Sequence, residues 1–337
     1  SGTDGWGSAS SSSPDNFTVF NGALYFSASD ENGTELWKTD GTESGTVMVK
    51  DIYSGTDGWG SASSSSPDNF TIFNGALYFS ASDENGNELW KTDGTGSGTV
   101  IVKDITPGNS TWDGPKNFIV FENALYFAAK DGNGTELWKS DGTESGTIML
   151  KDILLDNGFG GVGSGNPGNF IEFDGVLYFS ATDDNGTELW KSDGTTEGTV
   201  LLKDIYPGET SYGQVQSSNP GNLAIFDGAL YFSAEDGNGT ELWKTDGTEQ
   251  GTVIVKDISP GVDDYGYILS GSPSNLTVLN NELFFDATDG NGNELWKTDG
   301  TEMGTVMVKN INPEGNSSSP LDLQVLGDKI YFYADDG

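Results

Sequence analysis

The tetrapeptide Glu-Leu-Trp-Lys recurs six times along the chain, with its tryptophan at Trp37, Trp90, Trp138, Trp190, Trp243 and Trp296, at spacings of 53, 48, 52, 53 and 53 residues. A near-constant period commits the fold to a repeated supersecondary unit, because a unit of this size cannot cover its apolar faces alone and must stack on its sequence neighbours. The period is longer than that of leucine-rich or ankyrin units and lies near that of propeller blades.

Each copy holds four strand-length runs in a fixed order, at 16–20, 23–29, 34–38 and 46–52 in the first copy. They are too short for helices. Asn21-Gly22 joins the first two and returns as Asn74-Gly75, Asp174-Gly175 and Asp227-Gly228, a signal for two-residue type I′ hairpins. Asp30-Glu31-Asn32-Gly33 and Thr39-Asp40-Gly41-Thr42 supply the other two tight turns. The link between copies, from Tyr53 to about Asp68 and from Tyr206 to about Gly221, is long and rich in Gly, Ser and Pro. A propeller requires this asymmetry, since the outer strand of one blade must cross to the inner strand of the next. Leu24-Tyr25-Phe26 and Val47-Met48-Val49 are unbroken apolar triplets, which predicts sheets covered on both faces.

These features predict an all-β chain, a β-propeller of four-stranded antiparallel blades forming one repeat domain over 1–337. Six complete units fall at about 14–52, 67–105, 115–153, 167–205, 220–258 and 273–311, with a partial seventh at 319–337. An open β-solenoid-like repeat array is the structural alternative, since it also covers both faces. The opening Ser1-Gly-Thr-Asp-Gly-Trp-Gly-Ser8 returns as residues 54–61, a recurrence that implies a longer parent protein.

Charge narrows the partners. The chain carries 52 Asp and Glu against 15 basic residues, every one of them Lys, and has no Arg, His or Cys. A formal charge of −37 repels nucleic acid and anionic membrane surfaces, because either would need a basic patch to release counterions. The lack of Cys removes disulfides and thiol chemistry. No apolar run approaches the length that spans a bilayer, so no membrane insertion is expected. Twelve of the lysines sit at two repeat positions, those of Lys38 and Lys50, where ion pairs with repeat carboxylates are expected.

The run Glu35-Leu36-Trp37-Lys38-Thr39-Asp40-Gly41-Thr42, followed by Gly45-Thr46 and Val49-Lys50-Asp51-Ile52, resembles the ELWxxDGT repeat, also labelled hyalin-like, of large secreted or surface proteins of bacteria. The resemblance extends over essentially the whole chain. It implies a secreted or cell-surface location and an adhesive or structural role, and it brings no catalytic residues with it.

Three sets of residues are candidates for function. The first is Asp-x-Asn-Gly-x-Glu between the second and third runs: Asp30, Asn32, Glu35; Asp83, Asn85, Glu88; Asp131, Asn133, Glu136; Asp183, Asn185, Glu188; Asp236, Asn238, Glu241; and Asp289, Asn291, Glu294. Oxygen ligands on a sharply turned loop suit Ca²⁺, whereas Asp capping an Asn-Gly turn explains the pattern structurally. The second set, Asp40-Gly41-Thr42 and its copies, reads as a structural turn. The third is an aromatic at a matched place in each long loop: Trp6, Trp59, Trp112, Phe159, Tyr212 and Tyr265. Loops of one type gather at one end of the blades, where rings among Asp, Ser and Asn suit stacking on sugars. The alternative is that each ring plugs the seam between neighbouring blades. Glu172 stands alone where the other copies have Val19, Ile72, Val120, Ile225, Val278 and Val325, a costly place for a carboxylate unless it is wet.

The expected function is an extracellular or cell-surface structural or adhesive interaction module, stabilised by Ca²⁺, with a carbohydrate-binding lectin as the alternative. Other surface proteins or glycans are its expected partners, with self-association in a larger assembly. Catalysis is not expected. Acid–base work would fall to Asp, Glu, Lys or Tyr, and near-identical units offer six similar places, not one asymmetric constellation.

Overall fold

A computed structural model describes residues 11–56, 60–107, 113–156, 158, 160–210, 212–313 and 317–337. The chain divides into two compact units, Ser1–Phe170 and Ile171–Gly337.

Every described regular element is a strand. In the first sheet β1 (Asp15–Phe20), β2 (Ala23–Asp30), β3 (Gly33–Thr39) and β4 (Val47–Lys50) pair in sequence order, all antiparallel. The same four-strand order builds sheets over 68–103, 116–151, 168–203, 221–256 and 274–309, and a seventh, two-stranded sheet consists of Leu321–Leu326 and Lys329–Tyr333. The first hairpin turns as expected, with Asn21 at φ 48° and Gly22 at φ 78°, both in the region a type I′ turn demands.

Packing within each unit explains the unbroken triplets. Leu77, Phe79, Ala81 and Trp90 of the second sheet pack against Phe20, Tyr25 and Leu36 of the first. Between Leu77 and Phe79, Tyr78 points the other way and packs with Leu89 and Val102 against Leu125, Phe127 and Trp138 of the third sheet. The second unit repeats this. Leu230, Phe232 and Trp243 of the fifth sheet meet Tyr178 and Leu189 of the fourth, and Tyr231 and Leu242 on its other face meet Leu283, Phe285 and Trp296 of the sixth. Each fully buried ring of this kind contributes about 2–3 kcal/mol. First strands of successive sheets lie side by side in both units. The sheets are the blades of a β-propeller. A solenoid-like array is set aside because its ladders would run from repeat to repeat, whereas each repeat here closes its own sheet.

Two expectations need correction. The fourth strand ends at Lys50, not at residue 52, because the Ile52 N–H leaves the ladder for the Glu35 carboxylate. Its triplet is also only partly covered: Val47 and Val100 are exposed while Val102 is buried, since this short strand is the free edge of the sheet. Glu172 is exposed, as are Val19, Ile72, Val120, Ile225, Val278 and Val325 at the matching positions, so its carboxylate stays hydrated.

Candidate functional site

The antiparallel order puts the turn between β2 and β3 at the same end of the sheet as the exit from β4. The crossing loop therefore passes directly over the Asp-x-Asn-Gly turn. The Thr34 N–H donates to the Ser64 hydroxyl at 3.0 Å, and the Ser66 N–H donates to the Thr34 carbonyl at 3.0 Å. In the second unit Thr187 and Thr240 hold Ser217 and Ser270 in the same way, at 2.9 and 3.1 Å.

At the turn itself, Asp30 Oδ1 accepts the Asn32 N–H at 2.7 Å and Oδ2 accepts the Asn32 side-chain amide at 3.2 Å. The backbone bond recurs in the pairs Asp83–Asn85, Asp131–Asn133, Asp183–Asn185, Asp236–Asn238 and Asp289–Asn291 at 2.7 or 2.8 Å. Glu35, Glu88, Glu136, Glu188, Glu241 and Glu294 are instead turned inward and wholly buried. Glu35 accepts the Ile52 N–H at 2.8 Å, the Ser65 N–H at 2.9 Å and the Ser65 hydroxyl at 2.6 Å. Glu188 repeats the set with Ile205 at 2.9 Å and Ser218 at 2.8 and 2.5 Å. Glu136 and Glu241 reach Ile153 and Gly165, and Ile258 and Gly271, each at 2.7 Å. Each glutamate thus latches the crossing loop to the end of its own blade. Among the described residues no three acidic side chains converge as a metal centre.

Burial raises the pKa values of Glu35, Glu88, Glu136, Glu188 and Glu241, and their donors oppose it. Where a serine hydroxyl binds the carboxylate closely, at Glu35 and Glu188, the value is raised by desolvation. Where that hydroxyl is longer or missing, burial takes Glu88, Glu136 and Glu241 to about 7.

Beyond the latch, the loops fold back on themselves. Antiparallel bridges join Thr56 to Ala62, Asp156 to Val162, Glu209 to Val215 and Val262 to Ile268. Each encloses five residues, and in the last two the central one is Tyr212 or Tyr265. Trp6, Trp59, Trp112 and Phe159 lie outside the described residues. Tyr212 and Tyr265 are 89% and 86% exposed, so neither plugs a seam. Their turns are braced. Thr210 Oγ1 accepts the N–H groups of Tyr212 and Gln214 at 3.3 and 3.2 Å, and the Thr210 N–H donates to the Gln214 carbonyl at 2.7 Å. Asp263 Oδ1 accepts those of Tyr265 and Tyr267 at 2.8 and 2.9 Å. Tyr267, also exposed, adds a second ring that the repeat pattern does not contain.

The opposite end of each blade is closed. Asp93 Oδ1 accepts the Thr95 N–H and hydroxyl at 2.8 Å each, and the hydrogen bonds to Thr95 hold its pKa below the usual carboxylate range. The lysines correct an expectation here, because they donate to backbone carbonyls of the next blade. Lys38 reaches Gly94 O and Lys91 reaches Gly142 O at 2.8 Å each, and Lys244 reaches Gly300 O at 2.9 Å. Lys50 reaches Thr99 O at 2.8 Å and stands 5.8 Å from the Trp90 ring centroid. Lys297, in the last complete blade, pairs with Glu282 at 2.7 Å.

No family model matches the chain, and no curated protein matches it. Solved structures with a related fold include the computationally designed Ika8 protein, 13% identical over 97% of this chain and 95% of that one, with a TM-score of 0.43. A prolyl endopeptidase structure is 14% identical over 96% of this chain with a TM-score of 0.49, and the GH74 xyloglucanase of Xanthomonas campestris is 16% identical over 89% with a TM-score of 0.43. The chain spans 46% of each of the last two.

Proposed function

We propose that this chain is an interaction module of a secreted or cell-surface protein, binding through the aromatic apices of its crossing loops. One observation carries this reading: Tyr212 and Tyr265 stand almost fully exposed at turns braced by their own hydrogen bonds. A ring of that size gains free energy when covered, and a braced loop presents it without the ordering cost that a mobile loop would incur on association. The resemblance to surface repeats and the acidic composition support the location. Repetition supports binding over catalysis, because equivalent sites multiply avidity whereas a reaction needs one asymmetric constellation.

Glycans and other surface proteins are the partner classes, and self-association in a larger assembly belongs to the same reading. A carbohydrate ligand is favoured by the company the rings keep, since Thr210, Gln214 and Asp263 share their turns and offer hydrogen bonds beside a stacking face. Ca²⁺ enters as a stabiliser of the exposed Asp30–Asn32 turn and its copies. Chelation is expected to lower the melting temperature beyond any ionic-strength effect, and an unchanged melting curve removes the ion from the reading. For the binding itself, Tyr212→Ala with Tyr265→Ala is expected to weaken capture on a panel of glycans and surface proteins by about tenfold or more while leaving the melting curve in place. Retained binding would overturn the reading.

A further inference from the structure

Five crossing loops pair an aromatic with a carboxylate in the sequence and contain no cation, whereas the sixth, over 310–320, has no aromatic. The sequence sets Asp57 beside Trp59, Asp113 beside Trp112, Asp156 near Phe159, Glu209 near Tyr212, and Asp263 and Asp264 beside Tyr265, and no Lys falls in any of these loops. The chain has no Arg or His to compensate. Lysines at the Lys38 position are engaged at the far end of the blades, as Lys191 and Lys244 are on Gly247 and Gly300 carbonyls at 2.9 Å, while Lys130, at the crossing-loop end, already pairs with Asp113 at 3.5 Å and takes that carboxylate out of the set.

A ring face beside a carboxylate is matched to a cation: the quadrupole attracts it and the carboxylate pairs with it. An anionic ligand would meet only repulsion. The loop over 262–268 develops this furthest. Its Asp263 spends one oxygen on bracing Tyr265 and Tyr267, and Tyr265 and Tyr267 stand 86% and 72% exposed on the same turn.

We propose that the crossing loops that carry Tyr212 and Tyr265 bind an amine-bearing polysaccharide, each taking an amino sugar with its CH face on the exposed ring and its ammonium on the neighbouring carboxylate, Glu209 or Asp263. The inference rests on the binding reading above and narrows its ligand. Repetition favours a polymer of like units over a basic protein segment, because loops of one construction present the same chemistry again and again, and a ligand with a matching repeat engages several at once.

The test uses the whole chain with chitosan oligomers, the fully N-acetylated oligomers of the same length, alginate and poly-lysine, in low and high salt. Chitosan is expected to bind, to lose about tenfold on Tyr265→Ala with Tyr267→Ala, to lose a similar factor on Asp263→Asn with Asp264→Asn, and to weaken as salt rises. The melting curves of the variants serve as the folding control, and the tyrosine pair reads the site even where the Asp263 variant loosens its turn. Equal binding of the acetylated oligomers overturns the ammonium part while leaving the module a glycan binder. Poly-lysine binding with the same tyrosine dependence overturns the sugar part. Alginate binding overturns the charge logic, and silence toward every probe by folded protein overturns the inference together with the glycan reading on which it rests.

Discussion

The two ends of each blade carry similar acidic turns and use them in opposite ways. At the Asp-Gly-Thr end the carboxylate is exposed, Asp141 Oδ1 holds the Thr143 N–H and hydroxyl at 2.8 and 2.7 Å, and those bonds lower its pKa. At the crossing-loop end the carboxylate that matters is buried, as Glu136 is, and burial raises its pKa to about 7. One end is finished by its own hydrogen bonds and by the Tyr and Lys of its neighbour. The other spends a buried charge to fasten a loop whose apex stays uncovered. A repeat can thus hold its architecture constant at one end while varying what it displays at the other.

The comparison breaks first at the latch. Glu241→Ala leaves the N–H groups of Ile258 and Gly271 buried without their acceptor, so a loss of about 3 kcal/mol is expected, read as a lower denaturant midpoint. Faster amide exchange at Gly271 than at the Asp246 turn would place that loss at the crossing-loop end. Uniform exchange along the blade would show that the latch does not act locally. Gly142→Ala tests the closed end. Gly142 has φ +91° and a Cβ there would intrude on the Tyr78 hydroxyl, a combination expected to cost about 2 kcal/mol. An unchanged melting temperature would mean that the tyrosine does not seal this end.

Most of the fold was legible because repeat spacing and Asn-Gly turns are local signals, and six copies repeat them. The length of the fourth strand was not, since the Ile52 N–H is claimed by a side chain from another strand. The inward turn of Glu35 had a sign in the sequence: in a strand Glu35 shares a face with Trp37, so the face that buries the indole also buries the carboxylate. Read as part of a polar tip, the glutamate was grouped with Asp30 and Asn32, which face water. The carbonyl acceptors of Lys38, Lys91 and Lys244 were not legible because they leave no trace in composition, whereas Lys297 makes the expected ion pair with Glu282. Of the six aromatics that spacing singled out, only Tyr212 and Tyr265 fall among the described residues. Exposure of Tyr212 and Tyr265 was open until the bridges beneath them were seen, and Tyr267 was missed because only one loop carries it.

The smallest expected effect is also the one that separates the two ends by pH. A latch whose native pKa is raised holds its proton in the folded state longer than in the unfolded one. Its stabilisation is therefore complete below the ordinary carboxylate value and is lost as pH climbs toward about 7, the value of Glu88, Glu136 and Glu241. Asp141 and Asp93 run the other way: their pKa values are lowered, so their contribution is present above the ordinary value and is lost as pH falls through the native one. Glu188 is also raised by burial, and the Ser218 hydroxyl at 2.5 Å opposes the rise by favouring its ionised form. Ser218→Ala removes that donor and keeps the backbone bond at 2.8 Å. The variant is expected to carry the Glu188 titration up toward that of Glu241 and to lose about 1 kcal/mol above neutral pH, with almost none lost under mildly acid conditions where the latch is protonated. Melting temperature against pH for the two proteins checks this. Curves displaced by the same amount at every pH would mean that the serine acts by packing and that latch ionisation does not set the difference between the ends.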